Sequence, residues 1–70
     1  MIYLFVIKYR LRVGLGPKWE DKTEEVALDD LEEGTSIKDA EQMAISEFSE
    51  RRRKAGTHPN AFYIKEIVSA

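Results

Sequence analysis

From position 3 to position 13 every odd residue is apolar: Tyr3, Phe5, Ile7, Tyr9, Leu11 and Val13. The even positions open apolar at Ile2, Leu4 and Val6 and turn basic at Lys8, Arg10 and Arg12. A period of two, rich in β-branched and aromatic residues, predicts a strand over residues 2–13 with its odd face toward a core. Gly14-Leu15-Gly16-Pro17 predicts a turn, because glycine takes positive φ without strain and proline cannot donate to a ladder. Residues 18–28 form the returning strand, polar enough for a sheet edge, where charge discourages edge-to-edge association. Pairing Val13 with Lys18 sets Phe5 against Val26 and Tyr3 against Leu28 on the core side. The same register sets Arg10 against Asp21 and Arg12 against Trp19 on the other side. Such cross-strand pairs contribute about 0.2–1 kcal/mol each. Residues 24–33 contain good helix formers after Thr23, so a short helix there is the competing reading.

Residues 29–34 read as an acidic loop. Ser36 fits a helix N-cap, with Asp39 three residues on. Ile37, Ala40, Ala44, Phe48 and Ala55 share one helical face, with Met43 and Ile45 at its borders. Glu47–Arg51 and Glu50–Lys54 are i,i+4 pairs in the favourable order. Asp39 and Glu41 sit in the first turns and Arg51 to Lys54 in the last, which complements the helix dipole. Gly56 stops the helix, and His58-Pro59-Asn60 reads as a loop. Residues 62–68 predict a third strand, with Phe62, Ile64 and Val68 on one side and Tyr63 and Ile67 on the other.

The order strand, strand, helix, strand, with the first strand the most apolar, favours a central position for that strand. The expected fold is α+β: a two-layer ββαβ arrangement, its three-stranded antiparallel sheet ordered 2-1-3 and one helix on the odd face. Residues 1–70 fit one domain with one small core. There is no cysteine, hence no disulfide and no thiolate metal site. The opening apolar run is too short to span a bilayer and resembles no secretion signal, so a cytoplasmic protein without membrane partners is expected.

Charge changes the picture. Between positions 20 and 41 lie ten acids (Glu20, Asp21, Glu24, Glu25, Asp29, Asp30, Glu32, Glu33, Asp39 and Glu41) and only Lys22 and Lys38 as bases. The formal total of −2 therefore hides a bipolar chain. In the expected topology Arg10, Arg12, Lys18, Arg51, Arg52, Arg53 and Lys54 gather at one end. Asp29, Asp30, Glu32, Glu33, Asp39 and Glu41 gather at the other. Salt screens over about 8–10 Å, so each end presents its own sign to a partner. The sheet face away from the helix should carry Ile2, Leu4, Val6, Trp19, Tyr63 and Ile67. An uncovered apolar face marks an interaction site, and a second copy about a two-fold axis is its simplest cover.

Catalytic chemistry is thin. His58 is the only histidine, and a titratable group without an orienting partner fits a solvated loop. A toxin-type ribonuclease using His58 is a remote alternative. Glu20-Asp21-Lys22 echoes a nuclease element too short to be specific, and the acidic loop lacks the spacing of a calcium site. No catalytic residue, metal or cofactor is expected. Arg51-Arg52-Arg53-Lys54 with Arg10, Arg12 and Lys18 suits phosphates, with Trp19 available to stack a base. Against that stands the acidic pI of about 5.4.

The first strand, its polar return, Asp39-Ala40-Glu41-x-x-Ala44-Ile45-x-x-Phe48 and Phe62-Tyr63-Ile64-Lys65-Glu66-Ile67-Val68 together resemble many small proteins of bacteriophages and mobile elements. Anti-CRISPR-like inhibitors of ββαβ type are among them. The resemblance is one of pattern over most of the chain and assigns no residue a role. It implies a non-catalytic inhibitor or modulator that binds a host complex. The expected function is thus an interaction protein that uses a charged end toward a protein partner and dimerises through its open sheet face. A small nucleic-acid-binding protein is the alternative.

Overall fold

The computed structural model describes residues 3–14, 16–29 and 31–69. The elements run β1 (Tyr3–Arg12), β2 (Trp19–Leu28), α1 (Ile37–Lys54), a short 3-10 helix (Pro59–Ala61) and β3 (Phe62–Ser69). The sheet order is β2-β1-β3, with both neighbours antiparallel to β1. The chain thus has the α+β ββαβ architecture with an open sheet. β2 continues as strand to Leu28, so the helical reading of residues 24–33 is not taken up. The reason is visible in the ladder: Val26 and Leu28 face Phe5 and Tyr3, and their burial rewards the extended form.

The hairpin register is the one that Gly14 to Pro17 dictates. Val13 N–H donates to Lys18 O at 2.9 Å, Gly14 takes φ 67, and Arg10 faces Asp21 and Arg12 faces Trp19. Phe5, Ile7, Tyr9, Val26, Ala40, Ala44 and Phe48 are buried, and they form the core between the odd face of β1 and the helix. Two alanines at the contact let the helix backbone approach the sheet closely. Phe48 fills the space they leave, its ring 4.7 Å from that of Tyr9 and 5.7 Å from that of Phe62. Ile37 is exposed, because it opens the helix beyond the packed stretch; Met43 at the border is exposed as well.

Both helix ends are capped. Ser36 Oγ accepts from Asp39 N–H at 3.1 Å. At the other end Gly56, with φ 84, lets Gly56 N–H reach Arg53 O and Thr57 N–H reach Arg52 O, the paired reversal that satisfies the last carbonyls. Leu31 packs against the core, which anchors the acidic loop.

β3 departs from the expected alternation. Its register with β1 shifts between Lys8 and Tyr9: Lys8 faces Glu66 while Tyr9 faces Ile64. Lys65 is the extra residue of a β-bulge, which reverses the facing of everything beyond it. Phe62, Ile64 and Ile67 all lie on the core side and pack against it. Val68 stands opposite Val6 and faces outward. The assignment of Ile67 to the open face is therefore corrected, as is that of Val68 to the core.

Candidate functional site

The helix lies over β2 and β1 on one side of the sheet. An α-helix of 18 residues is about 27 Å long, while the Cα trace extends 45 Å along its long axis. The tip of the β1–β2 hairpin therefore projects beyond the helix, and among the described residues no layer covers the opposite sheet face. Four surfaces follow.

The first is the C-terminal end of the helix, where Arg51 and Arg52 turn toward β2 and Arg53 stays exposed. Arg52 and Arg51 converge on Glu24, at 3.1 and 3.5 Å. Arg51 also meets Glu47 at 3.3 Å and donates to Glu25 O at 3.1 Å. The Arg52 guanidinium lies 5.9 Å from the ring centres of both Tyr9 and Phe48, so it closes the end of the core. Arg53 is hydrogen-bonded twice to Glu50, in place of the expected Glu50–Lys54 pair. That contact, more than any other, holds the Glu50 carboxyl below its ordinary range and the Arg53 guanidinium above its own.

The second surface is the half of the open face nearest the hairpin tip. Trp19 on β2 and Tyr63 on β3 lean together across the central strand, their centroids 5.4 Å apart. Arg10 stands beside them, its Nε 3.1 Å from Asp21 Oδ1 and its Nη1 donating to the Tyr63 hydroxyl at 3.5 Å. The Tyr63 hydroxyl is the largest influence raising the Arg10 guanidinium above its ordinary range, with Asp21 adding to it. Asp21 is shared with Lys65 at 3.4 Å, and Lys8 pairs with Glu66 at 3.5 Å. Arg12 donates its Nε to Gly16 O at 3.1 Å.

The third surface is the other half of that face: Leu4, Val6, Ala27 and Val68, with Glu25 opposite Val6 at the β2 edge, placed together by the register of β1 with β2 and β3. Leu4 and Val6 are half-buried between the flanking strands, and Ala27 and Val68 are exposed. Ala27 and Val68 were not expected here; the alternation along β2 could have found the first, the bulge hid the second. Ile2, expected in this patch, lies outside the described residues.

The fourth surface is the acidic end. Asp29, Glu32, Glu33, Asp39 and Glu41 belong to the loop and first helical turns beside Tyr3, as the topology requires. Among the described residues none of them forms an ion pair. Thr35 closes the loop through its N–H and Oγ1, which donate to Glu32 O at 3.1 and 2.7 Å. Asp30 lies outside the described residues.

The expected basic end is thus divided. Arg10, Arg12 and Lys18 belong to the open face and hairpin tip, and Arg51 to Lys54 to the helix side. Arg10, Arg51, Arg52 and Arg53 are all engaged with acids. His58 caps the short 3-10 helix, its Nδ1 accepting from Asn60 N–H at 3.1 Å, a structural use of the ring. Among the described residues no three His, Asp or Glu side chains are grouped as metal ligands, and no helix is long and apolar enough to cross a membrane. Comparison with protein-family models, with curated proteins and with solved structures gave no match.

Proposed function

We propose that this protein is a non-catalytic binding module whose acidic end engages a basic surface on a macromolecular partner. One observation carries the reading: the two signs of charge are used differently. The arginines of the helix end are occupied by Glu24, Glu47 and Glu50. Asp29, Glu32, Glu33, Asp39 and Glu41 have no ionic partner among the described residues, with Lys38 the one base in their stretch. Ion pairs already formed within the chain add little attraction toward a partner; unpaired carboxylates gathered at one end retain their field and steer association. The acidic loop is also held in place, by Leu31 against the core and by the Thr35 turn, so little ordering entropy opposes binding.

The pattern-level likeness to small phage- and mobile-element-encoded ββαβ proteins supports an inhibitor or modulator role. In that role the acidic end would occupy a basic groove of a host complex, and a protein partner is the expected target. The patch of Leu4, Val6, Ala27 and Val68 supports association of a second copy on the apolar half of the open face.

The test is affinity capture from nuclease-treated host extract, with the unmodified chain beside two variants. Asp29→Lys with Glu32→Lys and Glu33→Lys should release the captured partner, and added salt should do the same. Lys54→Glu, on the helix side, should leave capture intact. Capture indifferent to the triple reversal would sink the reading.

A further inference from the structure

We infer that the Trp19–Tyr63 half of the open sheet face binds single-stranded nucleic acid. This goes beyond the acidic-end reading and rests on different residues. The two aromatic rings come from the outer strands, whose backbones are about 10 Å apart across β1 at about 4.8 Å per strand. Their centroids are nevertheless 5.4 Å apart, so the side chains arch over the central strand and form a raised aromatic ledge. Tyr63 remains 46% exposed. An aromatic pair on an uncovered sheet is a stacking surface for bases that are free of a duplex, and such stacking is indifferent to sequence.

The charge around the ledge fits the backbone of the same ligand. Lys8, Arg10 and Arg12 follow one another at every second residue of β1 and share one face of the sheet, with Lys65 beside them on β3 and Lys18 at the start of the hairpin's return. Asp21 and Glu66 are the acids of this half, and each is met by a cation: Asp21 by Arg10 and Lys65, Glu66 by Lys8. With those pairs formed, five cations against two acids still leave this half net positive, whereas the helix end sets its four cations against three acids. Arg10 is held in place by Asp21 and the Tyr63 hydroxyl, so its guanidinium is positioned beside the rings before any ligand arrives. Lys65, two residues on from Tyr63, shares its outward facing and sets an ammonium group next to the ledge, while the bulge beyond it turns Glu66 to the same face, where Lys8 meets it. A phosphate chain running along β1 would meet these cations in succession while its bases reach Trp19 and Tyr63. A second copy or an extended peptide could cover the same ledge, but neither would call for the excess of cations.

Trp19 is the only tryptophan, so its emission reports occupancy of this face directly. The full chain is titrated with oligothymidylate and with oligouridylate of about 20 nucleotides, long enough to exceed the roughly 4–16 nucleotides of one small fold's site. The expected result is quenching of Trp19 emission, with matching anisotropy of a labelled oligonucleotide. Affinity should fall as salt rises, with a slope of about −0.7 for each phosphate neutralised. Tyr63→Ala should weaken binding by roughly 5- to 150-fold, the range for loss of one base-stacking partner. Trp19→Phe should retain most of it by anisotropy, and Lys65→Ala should flatten the salt slope. Lys54→Glu, on the helix side, should change little. Absence of quenching and of anisotropy change at low salt overturns the inference. So does binding that survives Tyr63→Ala but is lost in Lys54→Glu, which would place nucleic acid on the helix side. Emission that follows protein concentration alone overturns it too, because a second copy then covers the ledge. Loss of partner capture in the acidic-end variants has no bearing on these outcomes.

Discussion

Glu24 stands directly across from Ile7, whose side chain is wholly buried, yet Glu24 is a carboxylate. Its side chain is 20% exposed and that of Arg52 22%, so the pair is largely removed from water. What makes this tolerable is the company: Arg51 and Arg52 both meet the carboxylate, and Arg52 covers the rings of Tyr9 and Phe48. Removing one partner of such a pair leaves the other poorly solvated. Glu24→Gln is expected to destabilise the fold by about 1–3 kcal/mol, the range for leaving a largely buried polar group without its partner. A double-mutant cycle with Arg52→Gln in urea should give a coupling above the roughly 0.2–1 kcal/mol of an exposed pair. Glu50 and Arg53 make the contrast. Their pair is exposed, and its signature is in titration. Arg53 depresses the Glu50 carboxyl in the folded chain. A depressed carboxyl favours folding above the ordinary carboxylate range, and that contribution is lost as pH falls through the folded value. Arg53→Gln should return Glu50 to its ordinary range, read from the side-chain carboxyl resonance across an acid titration. An unchanged midpoint would show that the contact is not populated in solution.

At the scale of elements, the hairpin was legible because two signals agreed. The apolar alternation of β1 and the Gly-Pro turn leave one register that places Val26 on the core, and a slip of one residue would turn every β2 side chain to the wrong face. The helix was legible from Ser36, the Ala40, Ala44, Phe48 stripe and Gly56. β3 was only half legible. Apolar residues at 62, 63, 64, 67 and 68 fit alternation in either phase, and the decision was made by β1, far away in sequence. The trace of the bulge is Lys65-Glu66 between Ile64 and Ile67, two polar residues where alternation allows one. Deleting Lys65 should therefore leave the core pairings in place. It joins Ile64 to Glu66 and restores regular alternation, with Phe62, Ile64 and Ile67 still on the core side and each β1 partner unchanged. Lys65→Ala is expected to move stability by no more than about 0.5 kcal/mol, as for most surface changes, and the deletion should keep a cooperative thermal transition. Loss of that transition in the deletion variant would show that the bend the bulge gives β3 is itself needed for the fold. Ser36→Ala gives the scale of an ordinary local loss, about 1 kcal/mol by urea unfolding.

At the scale of the whole molecule, the sequence led to two charged ends, and the structure keeps one of them. The acidic end follows from topology alone, because its residues are consecutive in the loop and first helical turns. The basic end did not survive as a unit, because its members come from separate elements on opposite sides of the sheet and the chain's own carboxylates lie within reach of the arginines. Sequence order places residues at a level along the strands; it does not say which acids of the next strand will meet them. The same distinction bears on self-association. The apolar half of the open face holds three larger side chains, Leu4, Val6 and Val68, beside Ala27. Covering such a side chain fully yields about 1.5–3 kcal/mol, and Leu4 and Val6 are already half-buried. Six of them across a two-fold interface give about half the full value, roughly 5–9 kcal/mol, against an association cost of about 4–15 kcal/mol. The balance lies near zero, so a concentration-dependent equilibrium is expected in place of an obligate dimer. A two-fold axis across the strands would bring apolar half onto apolar half and leave the Trp19 halves pointing outward at opposite ends, so both surfaces can be used at once. Sedimentation velocity over a hundredfold concentration range should show the mass rising with concentration, and Leu4→Glu with Val6→Glu should hold it at the monomer value with helix content unchanged. A mass that stays monomeric throughout in the unmodified chain would remove the second copy from the open face and leave that patch to the macromolecular partner.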